Sequence, residues 1–275
     1  MINAVGNRMT REIARQSKLS DQLERIQTQI SGGKKLLRAS DDPAASQRIA
    51  TIGKAQASAK TWAANVKTAT AQVSQADSAL GSVSNLLTRA RELTMTAASA
   101  TTNPADRASI AAELSAIADE IDGFAATRDS NGEPIFATNA KQVRFDADVS
   151  FAPVPSASTA FVVDGNSVST GLRDAAAAIT AGDSAAMGAA LETLSGAISH
   201  IADQRAAMGL SAGRLERIGD SLDLRGITLS DERSAVEDTD LSVAIAELNA
   251  QKLTLDAAQA AFARINRQTL FDILS

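Results

Sequence analysis

Leu241-Ser-Val-Ala-Ile245-Ala-Glu-Leu248-Asn-Ala-Gln-Lys-Leu-Thr-Leu255-Asp-Ala-Ala258-Gln-Ala-Ala-Phe262 sets a large apolar side chain at every seventh place, Leu241, Leu248, Leu255 and Phe262. Ile245, Ala258 and Ile265 fill intermediate positions, and the run closes on Leu270-Phe271-Asp272-Ile273-Leu274. Seven residues are close to two helical turns, so the repeat draws a narrow stripe along one side of an α-helix. The other end of the chain matches it. Ile2, Val5, Met9, Leu19, Leu23, Ile26 and Ile30 follow an alternating three-and-four spacing, with Glu12 and Gln16 as polar interruptions. A stripe of this kind is not satisfied on an isolated helix, so each seam needs a partner, either the other seam or a copy in a neighbouring molecule. Charge favours pairing: residues 1–40 carry eight Lys and Arg against three acids, and residues 231–275 carry eight acids against four Lys and Arg. Each exposed pair on a helix flank contributes only about 0.2 to 1 kcal/mol, so charge guides the pairing and apolar burial drives it.

Composition narrows the class. Seven Phe, one Trp and no Tyr in 275 residues, together with abundant alanine, suit closely packed helices better than a thick globular core. The net charge of −5 and the lack of aromatic residues among basic ones argue against a nucleic-acid partner. Without cysteine there is no disulfide, thiolate metal site or cysteine nucleophile. Met1–Ser20 has no continuous apolar core of a cleavable signal peptide, and no run of 18 apolar residues suggests a membrane span, so export would need another route.

Between the seams, Ser31-Gly-Gly33 ends the first helix, expected over 4–31, and Lys34 to Ser46 reads as a charged linker. Within it, Ser40-Asp-Asp-Pro43 is a helix start, with a capping oxygen ahead of a proline in the first turn. A long helix follows through Ile52, Val66, Val73, Leu80, Leu87 and Leu93 to the Thr101-Thr-Asn-Pro104 break, and another carries Ile110, Leu114, Ile117, Ile121 and Phe124. From Asp129 to Gly171 the period changes to strand-like alternation at Val143-Arg-Phe145 and Val149-Ser-Phe151, and Phe161-Val-Val-Asp-Gly-Asn166 reads as a strand entering a turn. Helix resumes around Leu172–Thr180 and again through Met187, Leu194, Ile201, Met208, Leu215 and Leu222, with Gly226 and the acidic stretch Asp231–Asp240 separating it from the last seam. The expected fold is mainly α, an elongated antiparallel helical bundle or coiled coil formed by the N- and C-terminal segments, with a small β-containing insert. Three regions are expected: 1–42 with 231–275, 43–128 with 172–230, and the insert 129–171.

No catalytic constellation emerges. Ser31-Gly-Gly-Lys34 has the spacing of a penicillin-binding nucleophile but lacks its companion motifs, and it fails as a phosphate loop because Thr28 and Lys35 stand where glycine and serine or threonine are required. Asp129, Asn131 and Glu133 begin a calcium-loop spacing, yet Gly132 and Ala140 occupy the wrong places, which makes a turn the better reading. His200, the sole histidine, has no second histidine or cysteine with which to hold zinc. A non-enzymatic protein without metal or cofactor is expected.

The segment Ile30-Ser-Gly-Gly-Lys-Lys35 with Ala39-Ser-Asp-Asp-Pro-Ala-Ala-Ser46 resembles the N-terminal signature of the bacterial flagellin superfamily, and its motif residues here are Lys34, Ser40, Asp41, Asp42 and Pro43. Leu86-Leu-Thr-Arg-Ala-Arg-Glu-Leu93 resembles the next helix of that family, and Val236-Glu-Asp-Thr-Asp240 onward to Leu274 resembles its C-terminal part. Asp41-Asp-Pro43, Asp106-Arg-Ala-Ser109, Arg128–Ala137 and the ending Leu270–Leu274 are more similar to members at the hook–filament junction, of the hook-associated protein 3 type, than to the filament subunit flagellin, which stays as the alternative. A cytoplasmic coiled-coil scaffold is a third reading of the seams alone. The resemblance implies a structural, extracellular subunit that leaves through the flagellar export apparatus with a chaperone bound at its C-terminus. It also implies self-assembly with other axial proteins through Leu19, Leu23, Ile26, Ile30, Leu241, Leu248, Leu255, Phe262, Ile265, Leu270 and Phe271. In flagellins, positions matching Arg89, Leu93 and Glu113 lie in a region recognised by an innate immune receptor, which the resemblance carries to these residues.

Overall fold

The structure, a computed structural model, describes residues 2–99 and 102–274, with side chains over 9–99 and 102–264. In chain order the elements are α1 (Ile2–Gly32), α2 (Pro43–Ala97), α3 (Pro104–Ala125), β1 (Val143–Arg144), β2 (Ser150–Phe151), α4 (Ala157–Phe161), β3 (Val162–Val163), β4 (Asn166–Ser167), α5 (Val168–Ala181), α6 (Ser184–Glu237) and α7 (Leu241–Leu274). Long helices packed antiparallel dominate, and the described strands form only two small two-stranded sheets. None of the described helices is long and apolar enough to cross a membrane. The chain divides into two compact units, Ser58–Gly226 and Met1–Ala57 with Ile227–Ser275.

In the unit Ser58–Gly226, α2 buries Ala59, Val66, Val73, Leu80 and Leu87 at intervals of seven, with Ala69, Ala76 and Val83 between them and Ala90 after. α6 buries Met187, Leu194, Ile201, Met208, Leu215 and Leu222 at the same interval. Alternating large and small side chains let helices approach closely and fill the space between them. α3 packs on α5 and adds Leu114, Ile117 and Ile121, while α5 adds Leu172 and Ile179. α3 starts where Asn103 Oδ1 accepts the Asp106 N–H at 2.8 Å ahead of Pro104, and α5 stops at Gly182, which takes φ +70°.

Residues 129–171 share this core rather than building one of their own: Ile135, Phe136, Phe145 and Phe161 are buried in the same cluster as the helices. The strand alternation expected around 143–151 is present, with Val143 paired to Phe151 and Arg144 to Ser150, antiparallel, and Phe145 tucked inward beside Phe151 at 4.7 Å. β3 and β4 form the second hairpin, turning at Asp164 and Gly165, both at positive φ. The Asp129–Glu133 segment is a turn: the Asp129 carboxylate accepts the N–H groups of Asn131 and Glu133 at 2.8 and 3.0 Å. His200 Nε2 meets the carbonyl of Thr159 at 2.9 Å, tying α6 to α4.

One expected boundary is corrected. Gly226 and the acids after it do not end the preceding helix, because α6 runs unbroken to Glu237 and only Asp238–Asp240 interrupts the chain before α7. A single glycine inside a helix costs about 1 kcal/mol relative to alanine, and paired charges offset it here: Arg225 meets Asp146 at 2.8 Å before it, and Arg233 meets Glu237 at 2.6 Å after it.

Candidate assembly interface

The unit Met1–Ala57 with Ile227–Ser275 holds both chain ends and both breaks between long helices. The first break leaves α1 through Gly33 at φ +66° and enters α2 at Pro43, where Asp42 Oδ1 accepts the Ala45 N–H at 3.0 Å as the cap. Asp41 has a different task. Its Oδ1 accepts from Arg25 Nη2 of α1 at 2.7 Å and its Oδ2 from the Arg38 N–H at 3.0 Å, so it folds the linker back onto α1. Ser40 is exposed in the turn between them. In the second break, Asp240 caps α7, its Oδ1 accepting the N–H groups of Ser242 and Val243 at 2.9 and 3.2 Å.

The two breaks are fastened to each other. The Lys35 N–H donates to the Glu237 carbonyl at 2.8 Å and the Thr239 N–H donates to the Gly33 carbonyl at 3.0 Å, a short antiparallel bridge joining residues some 200 positions apart. Over it, the nearly buried Glu237 carboxylate receives Arg233 Nε at 2.6 Å and the Lys34 ammonium. These two bonds, Arg233 first, outweigh the opposing effect of desolvation and bring the Glu237 carboxyl down to about 2. Ser234 Oγ bonds Asp238, and Arg48 meets Glu232 at 2.7 Å. Lys34, singled out as a motif residue, is therefore one half of a clasp whose other half, Glu237 with Arg233, lies in the acidic stretch Asp231–Asp240. The available signal was local: Arg233 and Glu237 are four residues apart on a helix, with a complementary lysine after the first seam.

α1 and α7 pack along each other beyond the clasp. On α1 the covered positions are Glu12, Gln16, Leu19, Leu23, Ile26 and Ile30, a spacing of four and three throughout. Glu12 and Gln16 are the polar members of this seam, and Met9 lies half exposed beside it. On α7 the covered positions are Ala244, Leu248, Gln251, Leu255, Ala258 and Phe262. Leu241, which shares the heptad position of Leu248, is nevertheless 50% exposed, and Ile245 is 48% exposed. Ile265, Leu270 and Phe271 lie outside the residues whose side chains are described. An open groove of about 710 Å³ lies beside the pair, lined by Leu19, Ile26, Leu37, Asp41, Glu247 and Thr254 among others.

In the other unit, Arg89 on α2 reaches Glu113 on α3 at 3.1 Å, and Leu93 on α2 is buried. The pair is exposed on both sides, so it is a surface feature with little bearing on stability.

The chain matches the model of the bacterial flagellin N-terminal helical region over residues 3–141 and that of the bacterial flagellin C-terminal helical region over residues 191–274. No curated protein matches it in sequence. Among solved structures it is similar to a protein of Vibrio parahaemolyticus described as a flagellar hook-associated protein, with a TM-score of 0.65, 15% identity, and coverage of 72% of this chain and 100% of the other. It is similar to FlgL of Xanthomonas campestris, at 0.59 and 15%, covering 66% and 99%, and to FlgL of Bacillus cereus, at 0.54 and 18%, covering 66% and 98%. At these identities the likeness is one of fold.

Proposed function

Because the chain belongs to the bacterial flagellin family, a family of structural flagellar proteins, we propose that it is the subunit of the hook–filament junction, polymerising there through its terminal helices. The observation that carries this reading is the unit formed by the two chain ends, in which α1 and α7 are paired and clasped while Leu241, Val243, Ile245 and Leu253 on α7 stay exposed. Such exposed apolar positions on a paired helix suit a protein that completes its packing against neighbours. The Asp41-Asp-Pro43 and Asp129–Glu133 turns, and the likeness in fold to proteins described as hook-associated, favour the junction over the filament.

In this role the chain is extracellular, exported through the growing flagellum with its C-terminus held by a chaperone, and its partners are its own copies and the axial proteins on either side. Deleting it should leave cells with hooks but without filaments and spill intact flagellin into the medium. A deletion strain with complete filaments would rule out the junction role. Complementation should succeed with the native chain and fail with Leu255→Asp plus Phe262→Asp, although that variant is still exported. Incorporation of the double variant would remove the seams from the mechanism.

A further inference from the structure

The two sides of the α1–α7 seam step outward from the clasp in the same order. On α1 the covered positions run Ile30, Ile26, Leu23, Leu19, Gln16 and Glu12, and on α7 they run Ala244, Leu248, Gln251, Leu255, Ala258 and Phe262, with the same alternation of four and three. The helices are antiparallel and lead away from one bridge, so these residues face each other in that order, Ile26 on Leu248 and Leu19 on Leu255. The neighbouring groove agrees, since its lining draws Leu19 and Gln22 from α1 and Gln251 and Thr254 from α7. This register leaves defects. Gln16 Nε2 is buried with no hydrogen-bond partner among the described residues, opposite Ala258. An unsatisfied buried group of this kind costs about 1–3 kcal/mol. Gln251 faces the aliphatic Leu23. Leu241, one heptad before Leu248, is 50% exposed at one end of the seam, and Met9 is 45% exposed at the other.

We propose that the seam has a second register, one heptad away, and that the clasp of Lys34, Glu237 and Arg233 locks the chain in the first. Sliding the two helices past each other by seven residues, about 10 Å, removes each defect at once. Gln16 then meets Gln251, and each amide can donate to and accept from the other. Ile26 covers Leu241, Leu23 meets Ala244, Leu19 meets Leu248, and Met9 falls opposite Ala258. Glu12 moves from Phe262 to Leu255. Ile30 is uncovered at one end and Phe262 at the other, so the described residues form six layers in either register. With apolar layers so evenly matched the heptad does not choose between them, whereas a polar pair inside a seam does select a register. Gln16 and Gln251 favour the slipped one. The clasp opposes them, because its two backbone hydrogen bonds and the Lys34–Glu237 ion pair hold Gly33–Lys35 against Glu237–Thr239 and do not survive a displacement of about 10 Å. Slack for the movement lies in the linker between Gly33 and Pro43, which Asp41 folds back onto α1 and which reaches about 33 Å when extended. Two discrete arrangements of one helix pair, with a lock that sets their balance, make a switch rather than a graded flexibility.

The chain has no cysteine, so introduced pairs report the register in the full-length protein. Leu19→Cys with Leu255→Cys is opposed in the first register, and Leu19→Cys with Leu248→Cys in the second. A slip of about 10 Å carries either pair beyond disulfide reach when the other is opposed. With the clasp intact, the first pair should close and the second should stay reduced. Lys34→Gln plus Glu237→Gln should raise closure of the second pair at least about tenfold, equivalent to 1.4 kcal/mol, and lower that of the first. Adding Gln16→Leu to the opened clasp should return closure to the first pair, which a merely looser seam would not do. Leu19→Cys with Leu253→Cys, which lies on the exposed side of α7, should stay open throughout and so reports fraying. A clasp variant that closes only the first pair, or that links position 19 to 248, 253 and 255 alike, overturns the second register. Failure of the first pair to close while the clasp is intact overturns the seam and the lock together. None of these outcomes bears on the junction role, which the deletion strain tests separately.

Discussion

Replacing Glu237 by glutamine tests the clasp between the two helix breaks. The carboxyl is held at about 2 against an ordinary 4.5 by Arg233 and Lys34, and its depressed value means that the charged form stabilises the folded state. Taken whole, that difference corresponds to roughly 3 kcal/mol. Both cations are largely exposed, at 42% and 53%, so solvent screening reduces it to about 1–2 kcal/mol. The contribution is fully present above the unfolded value near 4.5 and is lost as pH falls through the folded value near 2. The local readout is amide exchange at Lys35 and Thr239, whose N–H groups close the bridge. At pH 6, Glu237→Gln should lower their protection by about tenfold or somewhat more, since tenfold is 1.4 kcal/mol. The native chain should approach the variant as pH drops from 5 to 2, and 1 M salt should narrow the gap at pH 6. Equal protection in the two proteins at pH 6, or an equal fall with acid in both, would refute the assignment of the clasp to this carboxylate.

Two further substitutions probe the rest of the molecule. Leu87→Ala opens a cavity in the fully buried heptad of α2 and should cost about 2–5 kcal/mol in chemical denaturation, with no comparable loss at exposed Leu210. Asn103→Ala removes both bonds to Asp106 at the start of α3, and should cost about 1 kcal/mol, or about 2–4 °C in Tm.

The helices were legible because periodicity is local. Seven-residue repeats at Val66–Leu87 and Met187–Leu222, the Asn103-Pro104 and Asp42-Pro43 starts, and the Val143–Phe151 alternation each depend on neighbours within two turns or one hairpin. Gly226 misled because a breaker is judged by propensity, about 1 kcal/mol, while packing and paired charges on both sides of it are tertiary. Glu12 and Gln16 hold the seam's three-and-four spacing in the sequence, and the structure covers them partly on that side of α1.

By itself the sequence determined that two long terminal helices of opposite charge carry apolar stripes in need of partners, and that the chain breaks between Gly33 and Pro43. A repeat fixes which residues share a face, and the large side chains of Leu248, Leu255 and Phe262 mark the seam of α7, but the repeat does not say what packs on it. Only the tertiary structure decided that Ala244, Leu248, Leu255 and Phe262 turn toward α1 while Leu253 turns away, because that choice is made where α1 enters and leaves. It also decided that Lys34 closes on Glu237, since an ion pair spanning some 200 residues is set by where the backbone crosses and by the burial that strengthens it, neither of which a sequence spacing records.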